Sequence, residues 1–134
     1  MKTTTLTILI CFMFCGSGSA GEGLASYYTE ESCRREGTGG PELTMSNGKR
    51  YDESAMTCAL WIVGKNGRPL RPTGSLVRIT NVESGLTIVC AWTDNGPGSV
   101  PRSRGVIVDL TPAAFLALGG KLKDGRIKVK VERI

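Results

Sequence analysis

The residues best suited to chemistry stand in Trp92-Thr93-Asp94-Asn95-Gly96-Pro97, where a carboxylate closes an apolar run and a turn sequence follows at once. Leu86, Ile88, Cys90 and Trp92 alternate with Thr87, Val89, Ala91 and Thr93, the period of two that gives a strand two distinct faces. Gly96 tolerates positive φ and Pro97 has no N–H for a ladder, so Asn95-Gly96-Pro97 ends the strand. Asp94 is then carried by a rigid element yet sits at its open end, half desolvated and within reach of a ligand. Partial burial of that kind raises a carboxyl pKa and makes a proton donor. Spacing alone favours a plainer role, in which Asp94 caps its own turn.

Other candidates lie close by in the sequence. The loop from Gly98 to Gly105 carries Ser99, Arg102, Ser103 and Arg104 directly after the Asp94 turn. Its arginines are either solvated charges or reach an anionic group bound beside Asp94. Asp52 opens a stretch, Asp52 to Thr57, that reads as one helical turn, with Asp52 as its cap or as a catalytic helper. Tyr27 and Tyr28 end a first strand, Gly23 to Thr29. Neighbours on a strand point oppositely, so one Tyr packs inward and the other faces the ligand side.

The elements that must position these residues are short. Glu30 to Arg50 reads as a long polar, Gly-rich loop containing Cys33, Thr38-Gly39-Gly40-Pro41 and Ser46-Asn47-Gly48-Lys49. Leu60 to Val63 reads as a strand, and the Pro- and Gly-containing segment from Lys65 to Gly74 as a loop. Leu76 to Asn81 and Leu86 to Asp94 form a hairpin through Val82-Glu83-Ser84-Gly85. Val106 to Asp109 is a further strand. Thr111-Pro112 gives an N-cap and a first-turn proline, Ala113 to Leu118 a helix, and Gly119-Gly120 its end. Arg126 to Ile134 closes the chain as a strand with a charged outer face. About six short strands and one clear helix predict an all-β fold, a small closed barrel that leaves no exposed edge.

Residues 1–20 read as an export signal: Lys2 first, an apolar core from Leu6 to Phe14, and Gly18-Ser19-Ala20 as the cleavage site. The apolar run is too short to span a membrane. A lipoprotein alternative makes Cys15 the lipidated first residue, although Phe14 is a poor residue to precede it. Removing 20 of 134 residues leaves 114, enough for one domain, 21–134. Lys2 is the one charge removed, so 16 Lys and Arg remain against 12 acids, a net charge of +4. That excess suits an anionic polymer or surface. The basic residues are scattered with no aromatic ladder among them, which argues against nucleic acid. Cys33, Cys58 and Cys90 remain in a compartment that permits disulfides. Cys90 lies within an apolar strand, whereas Cys33 and Cys58 lie in irregular segments and are the expected bridge. The chain has no His and no Cys-x-x-Cys pair, so no metal site is expected.

Six segments occur in order: Gly-Leu-Ala-Ser-Tyr-Tyr, Ser-Asn-Gly-Lys-Arg-Tyr-Asp, Met-Thr-Cys-Ala, Val-Arg-Ile-Thr-Asn, Thr-Asp-Asn-Gly-Pro and Val-Ile-Val-Asp-Leu-Thr-Pro-Ala-Ala-Phe. Over Gly23 to Ile134 the chain thereby resembles the rare lipoprotein A-like proteins. These are bacterial double-psi β-barrels, more distantly similar to expansins and to the barrel of membrane-bound lytic transglycosylase A. The resemblance implies a six-stranded double-psi β-barrel with one or two short helices, exported to the periplasm, cell envelope or medium. It also implies action on peptidoglycan glycan strands: cleavage of the MurNAc–GlcNAc bond without water, ending in 1,6-anhydro-MurNAc. No cofactor is expected, and a monomer is. Asp94 matches the family's Asp in Asp-x-Gly-Pro and takes the acid and base role; Asp52 matches the Asp after Asn-Gly and orients substrate or tunes Asp94. Tyr27, Tyr28, Asn47, Thr57, Asn95, Arg102 and Arg104 complete the expected substrate-binding set. Two departures stand out, Lys49 where the septal enzymes carry Glu and Leu60 where they carry His. They give weight to an alternative, a non-catalytic glycan-binding barrel in which Tyr27, Tyr28 and Trp61 stack on sugars. A third class, a secreted barrel that binds another protein, has no specific residue in its favour.

Overall fold

A computed structural model describes residues 21–134; the export-signal and Cys15 lipidation readings lie outside the described residues. Six strands close into a barrel: β1 (Gly21–Tyr27), β2 (Thr57–Ala59), β3 (Leu76–Asn81), β4 (Thr87–Asp94), β5 (Val106–Leu110) and β6 (Ile127–Arg133). Around the barrel their order is β1-β5-β2-β4-β3-β6. β1 runs parallel to β5 and β2 parallel to β4, while the other four pairings are antiparallel.

Alternation decides what fills the barrel. On β5, Val106, Val108 and Leu110 are buried while Ile107 and Asp109 are only partly so. On β4, Cys90 and Trp92 point inward, as their period of two requires. Val77, Ile79, Val129 and Val131 meet them from β3 and β6, and Phe115 and Leu118 plug one end. Those last two come from α3 (Pro112–Ala117) and its C-cap, in a helix started by the Thr111 hydroxyl accepting from the Ala114 N–H.

The segment from Glu30 to Arg50 is built and not loose. Thr29 and Ser32 form a reciprocal capping box for α1 (Glu30–Glu36), with acids in its first turn, arginines in its last and Gly37 left-handed at its end. Cys33 from α1 joins Leu43, Met45 and Tyr51 in a second, smaller apolar cluster against which Tyr28 packs. Leu43 holds φ 53° at 1% exposure, so burial of its side chain fixes a backbone state that a non-glycine residue seldom takes. A further short helix, α2 (Ser99–Ser103), occupies what reads as a loop, which brings the α-helices to three among the described residues against the one or two implied. The expected strand over Leu60 to Val63 is displaced: the ladder uses Thr57–Ala59, and Leu60 turns into the core.

The expected bridge between Cys33 and Cys58 is absent, and Cys33, Cys58 and Cys90 are all free thiols. Cys58 is not in an irregular segment. It sits on β2, 0% exposed in the barrel core, whereas Cys33 belongs to the separate cluster outside the barrel. Burial pushes the Cys33 thiol up, the Cys58 thiol well up and the Cys90 thiol to about 12, so each behaves as a small apolar side chain.

Candidate active site

Asp94 ends β4, and its backbone is pinned from two sides: its carbonyl accepts from the Trp92 indole Nε1–H at 2.9 Å and from the Leu60 N–H at 3.1 Å. Its carboxylate is surrounded by donors. Oδ1 accepts from the Ser46 N–H (2.9 Å), the Ser46 hydroxyl (2.7 Å) and the Asn95 N–H (3.0 Å), and Oδ2 accepts from the Tyr28 hydroxyl (3.1 Å). All four bonds use the carboxylate as acceptor, which orients it firmly. Burial, with the Asp94 charge beside it, pushes the Tyr28 hydroxyl far up, so Tyr28 stays a donor. Tyr28 in turn stacks on Tyr51, ring centroids 4.4 Å apart, and Tyr51 donates its hydroxyl to the Tyr28 carbonyl.

The Ser46 donors arrive on a strap folded back on itself. Thr44 bridges Arg50, Met45 donates its N–H to the Lys49 carbonyl, and Gly48 supplies the positive φ (90°) that the tight return requires. The strap is fastened to β4 by the Asn47 N–H on the Thr93 carbonyl and by the Thr93 hydroxyl on the Met45 sulfur.

A second carboxylate shares the site, one that sequence reasoning did not single out. Ala59 on β2 is registered against Asp94 on one side and Asp109 of β5 on the other, so the two Asp residues flank it one strand away each. With strands about 4.8 Å apart, their Cα atoms lie roughly 10 Å from each other. Asp94, Asp109 and Ala59 line one cavity of about 420 Å³, with Tyr28, Ser46, Cys33, Glu36, Trp61 and the Asn95–Gly98 turn. Burial raises the Asp109 carboxyl from the usual 3.8 to about 6, and the negative charges of Glu36 and Asp94 push the same way against a hydrogen bond from Ser26 Oγ (2.9 Å). The signal available in the sequence was a lone Asp between apolar residues, Val108-Asp109-Leu110, in a strand whose other members alternate inward.

Of the expected residues, the structure gathers Asp94, Tyr28 and Asn95 at this cavity. The Asn95 side-chain oxygen is buried there without a hydrogen-bond partner. One Tyr does pack inward: Tyr27 lies against Phe115, centroids 4.9 Å apart, with its hydroxyl on the Leu122 carbonyl, and so is not brought to the cavity. Arg102 reaches the rim, its guanidinium 4.2 Å above the Trp61 ring and donating to the Pro97 carbonyl at 2.7 Å. Arg104 is exposed and does not line the cavity. Asn47, Asp52 and Thr57 line a different cavity, together with Lys49. Asp52 caps a turn there, accepting from the Ser54 N–H and hydroxyl, and that hydroxyl holds its carboxyl below the usual range. No cluster of three or more His, Cys, Asp and Glu placed to hold a metal ion occurs among the described residues, and no described helix is long and apolar enough to cross a membrane.

No family model matches the chain. Curated relatives do. It is 32% identical over 111 residues to a probable endolytic peptidoglycan transglycosylase RlpA of Nostoc sp., which covers 83% of this chain and 25% of that protein. It is 34% identical over 89 residues to the endolytic peptidoglycan transglycosylase RlpA of Neisseria meningitidis, covering 66% of this chain and 32% of that protein. The protein of the same name from Yersinia pestis is 33% identical over 112 residues, covering 84% and 25%. The chain thus spans about a quarter to a third of the length of the curated relatives it matches. Among solved structures, a Streptomyces papain inhibitor superposes with a TM-score of 0.58 at 21% identity, over 86% of this chain and 94% of that one. A Clavibacter michiganensis expansin mutant in complex with cellohexaose superposes with a TM-score of 0.57 at 18% identity, over 86% and 50%. At such identities the likeness is one of fold, and the fold is the double-psi β-barrel.

Proposed function

We propose, for a chain that is an RlpA-like double-psi β-barrel, that it cleaves peptidoglycan glycan strands as a lytic transglycosylase. The observation that carries this reading is the pair of carboxylates flanking Ala59 in one cavity, set in opposite surroundings. Asp109, raised to about 6 by burial, retains a proton in mildly acidic medium and donates it. Asp94, encircled by donors, serves as an acceptor. The acid and base roles assigned to Asp94 from the sequence then divide between two residues.

In the reaction, Asp109 transfers its proton to the glycosidic oxygen as the bond from that oxygen to the MurNAc anomeric carbon breaks. The C6 hydroxyl oxygen of the same MurNAc forms the new bond to that carbon, and its proton passes to the Asp94 carboxylate. No water is consumed, and a 1,6-anhydro ring closes. Developing positive charge at the anomeric carbon is stabilised by the Asp94 carboxylate. Trp61, 38% exposed at the rim, offers an apolar face to a sugar ring.

A second reading, a binding barrel without turnover, is favoured by the two departures. Leu60 is a core residue at 6% exposure, and Lys49 lies at the other cavity, so neither brings a proton-carrying group to Asp94. Mass spectrometry of soluble products from purified peptidoglycan decides between them. Anhydro-muropeptides from the native chain, absent with Asp109→Asn, support the enzyme. Reducing-end products would mean hydrolysis, and retention on the sacculus without products would leave a binder.

A further inference from the structure

The strap that clamps Asp94 has a second side. Beyond it lies a cavity of about 460 Å³, which shares Met45 with the first. β2 runs past both, since Thr57 lines this one and Ala59 the other, two residues or roughly 7 Å apart along the strand. The second cavity is chemically unlike the first. Its charged groups are Lys49, Arg50 and Asp52. Arg50 is turned to Glu30 at 3.8 Å and Asp52 to Ser54, while Lys49 has no ion-pair partner among the described residues. The Thr57 hydroxyl is buried without a hydrogen-bond partner, and Asn47, whose side-chain oxygen accepts from the Lys49 N–H, has its amide N–H groups uncommitted.

An unpaired ammonium beside an uncommitted amide suits a carboxylate carried on a polyhydroxylated chain. We propose that this cavity is a second subsite of the same glycan strand and binds an acidic sugar residue, with Lys49 facing its carboxylate and the Asn47 amide its neutral polar groups. The proposal rests on the glycan reading of the Asp94 cavity and adds to it a determinant of which strands are held. Lys49, a departure from the family pattern, becomes the residue that selects charge.

The test is an NMR titration of the chain carrying Asp109→Asn, to prevent turnover, with and without Lys49→Gln. Four ligands are compared: a GlcNAc–MurNAc tetrasaccharide with free lactyl carboxylates, the same with stem peptides attached, the same with its carboxyls reduced to alcohols, and the GlcNAc tetramer. Amides of Asn47, Lys49 and Thr57 report the second cavity; those of Tyr28, Ser46 and Asn95 report the first. The expected result is that a carboxylated tetrasaccharide shifts both sets. Lys49→Gln then weakens it roughly two- to fivefold, to the level of the reduced form, the scale of an exposed ion pair. Loss with the free-lactyl ligand supports the acidic sugar, whereas loss confined to the peptide-bearing ligand would place the carboxylate on the stem and overturn that assignment. Shifts in the first set alone, or indifference to Lys49→Gln, would overturn the second subsite while leaving the glycan reading standing. Silence of both sets with every sugar would overturn the glycan reading itself.

Discussion

Replacing Asp109 with Asn should make the protein more stable at neutral pH while ending the proposed cleavage. The carboxyl is raised from 3.8 to about 6, roughly two pKa units, and each unit corresponds to about 1.4 kcal/mol. A folded-state value above the unfolded one means the folded chain binds the extra proton. The associated stability is therefore complete below about pH 4 and is lost as pH rises through about 6, an amount near 3 kcal/mol. Asn carries no charge to desolvate and still accepts from Ser26 Oγ, though more weakly, which gives back about 1 kcal/mol. The variant should thus gain about 2 kcal/mol at about pH 8 and match or fall slightly below the native chain at about pH 4. Urea unfolding of both chains across that interval reads the difference directly, because every other titrating group is common to both. Parallel stability curves, offset by a constant, would refute the burial argument and with it the case for Asp109 as the acid.

On the proposed transglycosylase reading, cleavage should decline as pH rises through about 6, where Asp109 loses its proton, and a rate flat across that range would remove it from the acid role. Ala59→Val places two methyl groups between the carboxylates; it should cost about 1–3 kcal/mol of stability and most of the turnover, and kcat/KM on peptidoglycan left unchanged in a folded variant would put the scissile bond elsewhere. Alkylation of the unfolded, unreduced protein should label Cys33, Cys58 and Cys90 alike, and Cys33→Ser should cost about 1 kcal/mol as a lost apolar contact, below the 2–4 kcal/mol of a broken bridge. Leu43→Ala should cost about 2–4 kcal/mol by emptying the small outer cluster, and calorimetry showing no loss would mean that cluster does not hold the strap.

Period and punctuation carried much of the architecture. The alternation holds from Thr87 to Trp92, while Leu86 falls outside the strand and is exposed and Thr93 is buried; the Asn95-Gly96-Pro97 stop, the turn at Val82–Gly85 and the cap at Thr111 stand where the residues place them. Which strand lies beside which was not legible in that way, because alternation tells a strand its two faces and not its neighbours; the six ordered motifs supplied it. Asp109 was missed because a strand pattern assigns a polar outward residue to solvent, whereas residues of the 30–50 segment lie over that face and help enclose it. The helix at Glu30–Glu36 had its signals in plain view, Thr29 with Ser32 and the acid-to-base gradient, but the Gly-rich stretch behind it dominated the reading. Cys58 misled for a related reason: a strand of three residues is too short to declare a period, so its burial came only with its partners Trp92 and Leu110.

The strand order also governs how the chain must fold. Only β3 and β4 are neighbours both in sequence and in the barrel; every other pairing joins segments far apart in the chain. β6 bonds to both β1 and β3, so the ring stays open until the last strand, Ile127–Arg133, has been made. Such non-local pairing carries a large loop-closure entropy before any contact forms and gives slow, late, all-at-once folding. Until then Asp94 keeps at most the local Asn95 N–H, since its other donors, Ser46 and Tyr28, reach it across 48 and 66 residues. A nascent chain therefore carries no assembled site, and any activity on glycan would begin only after the barrel has closed.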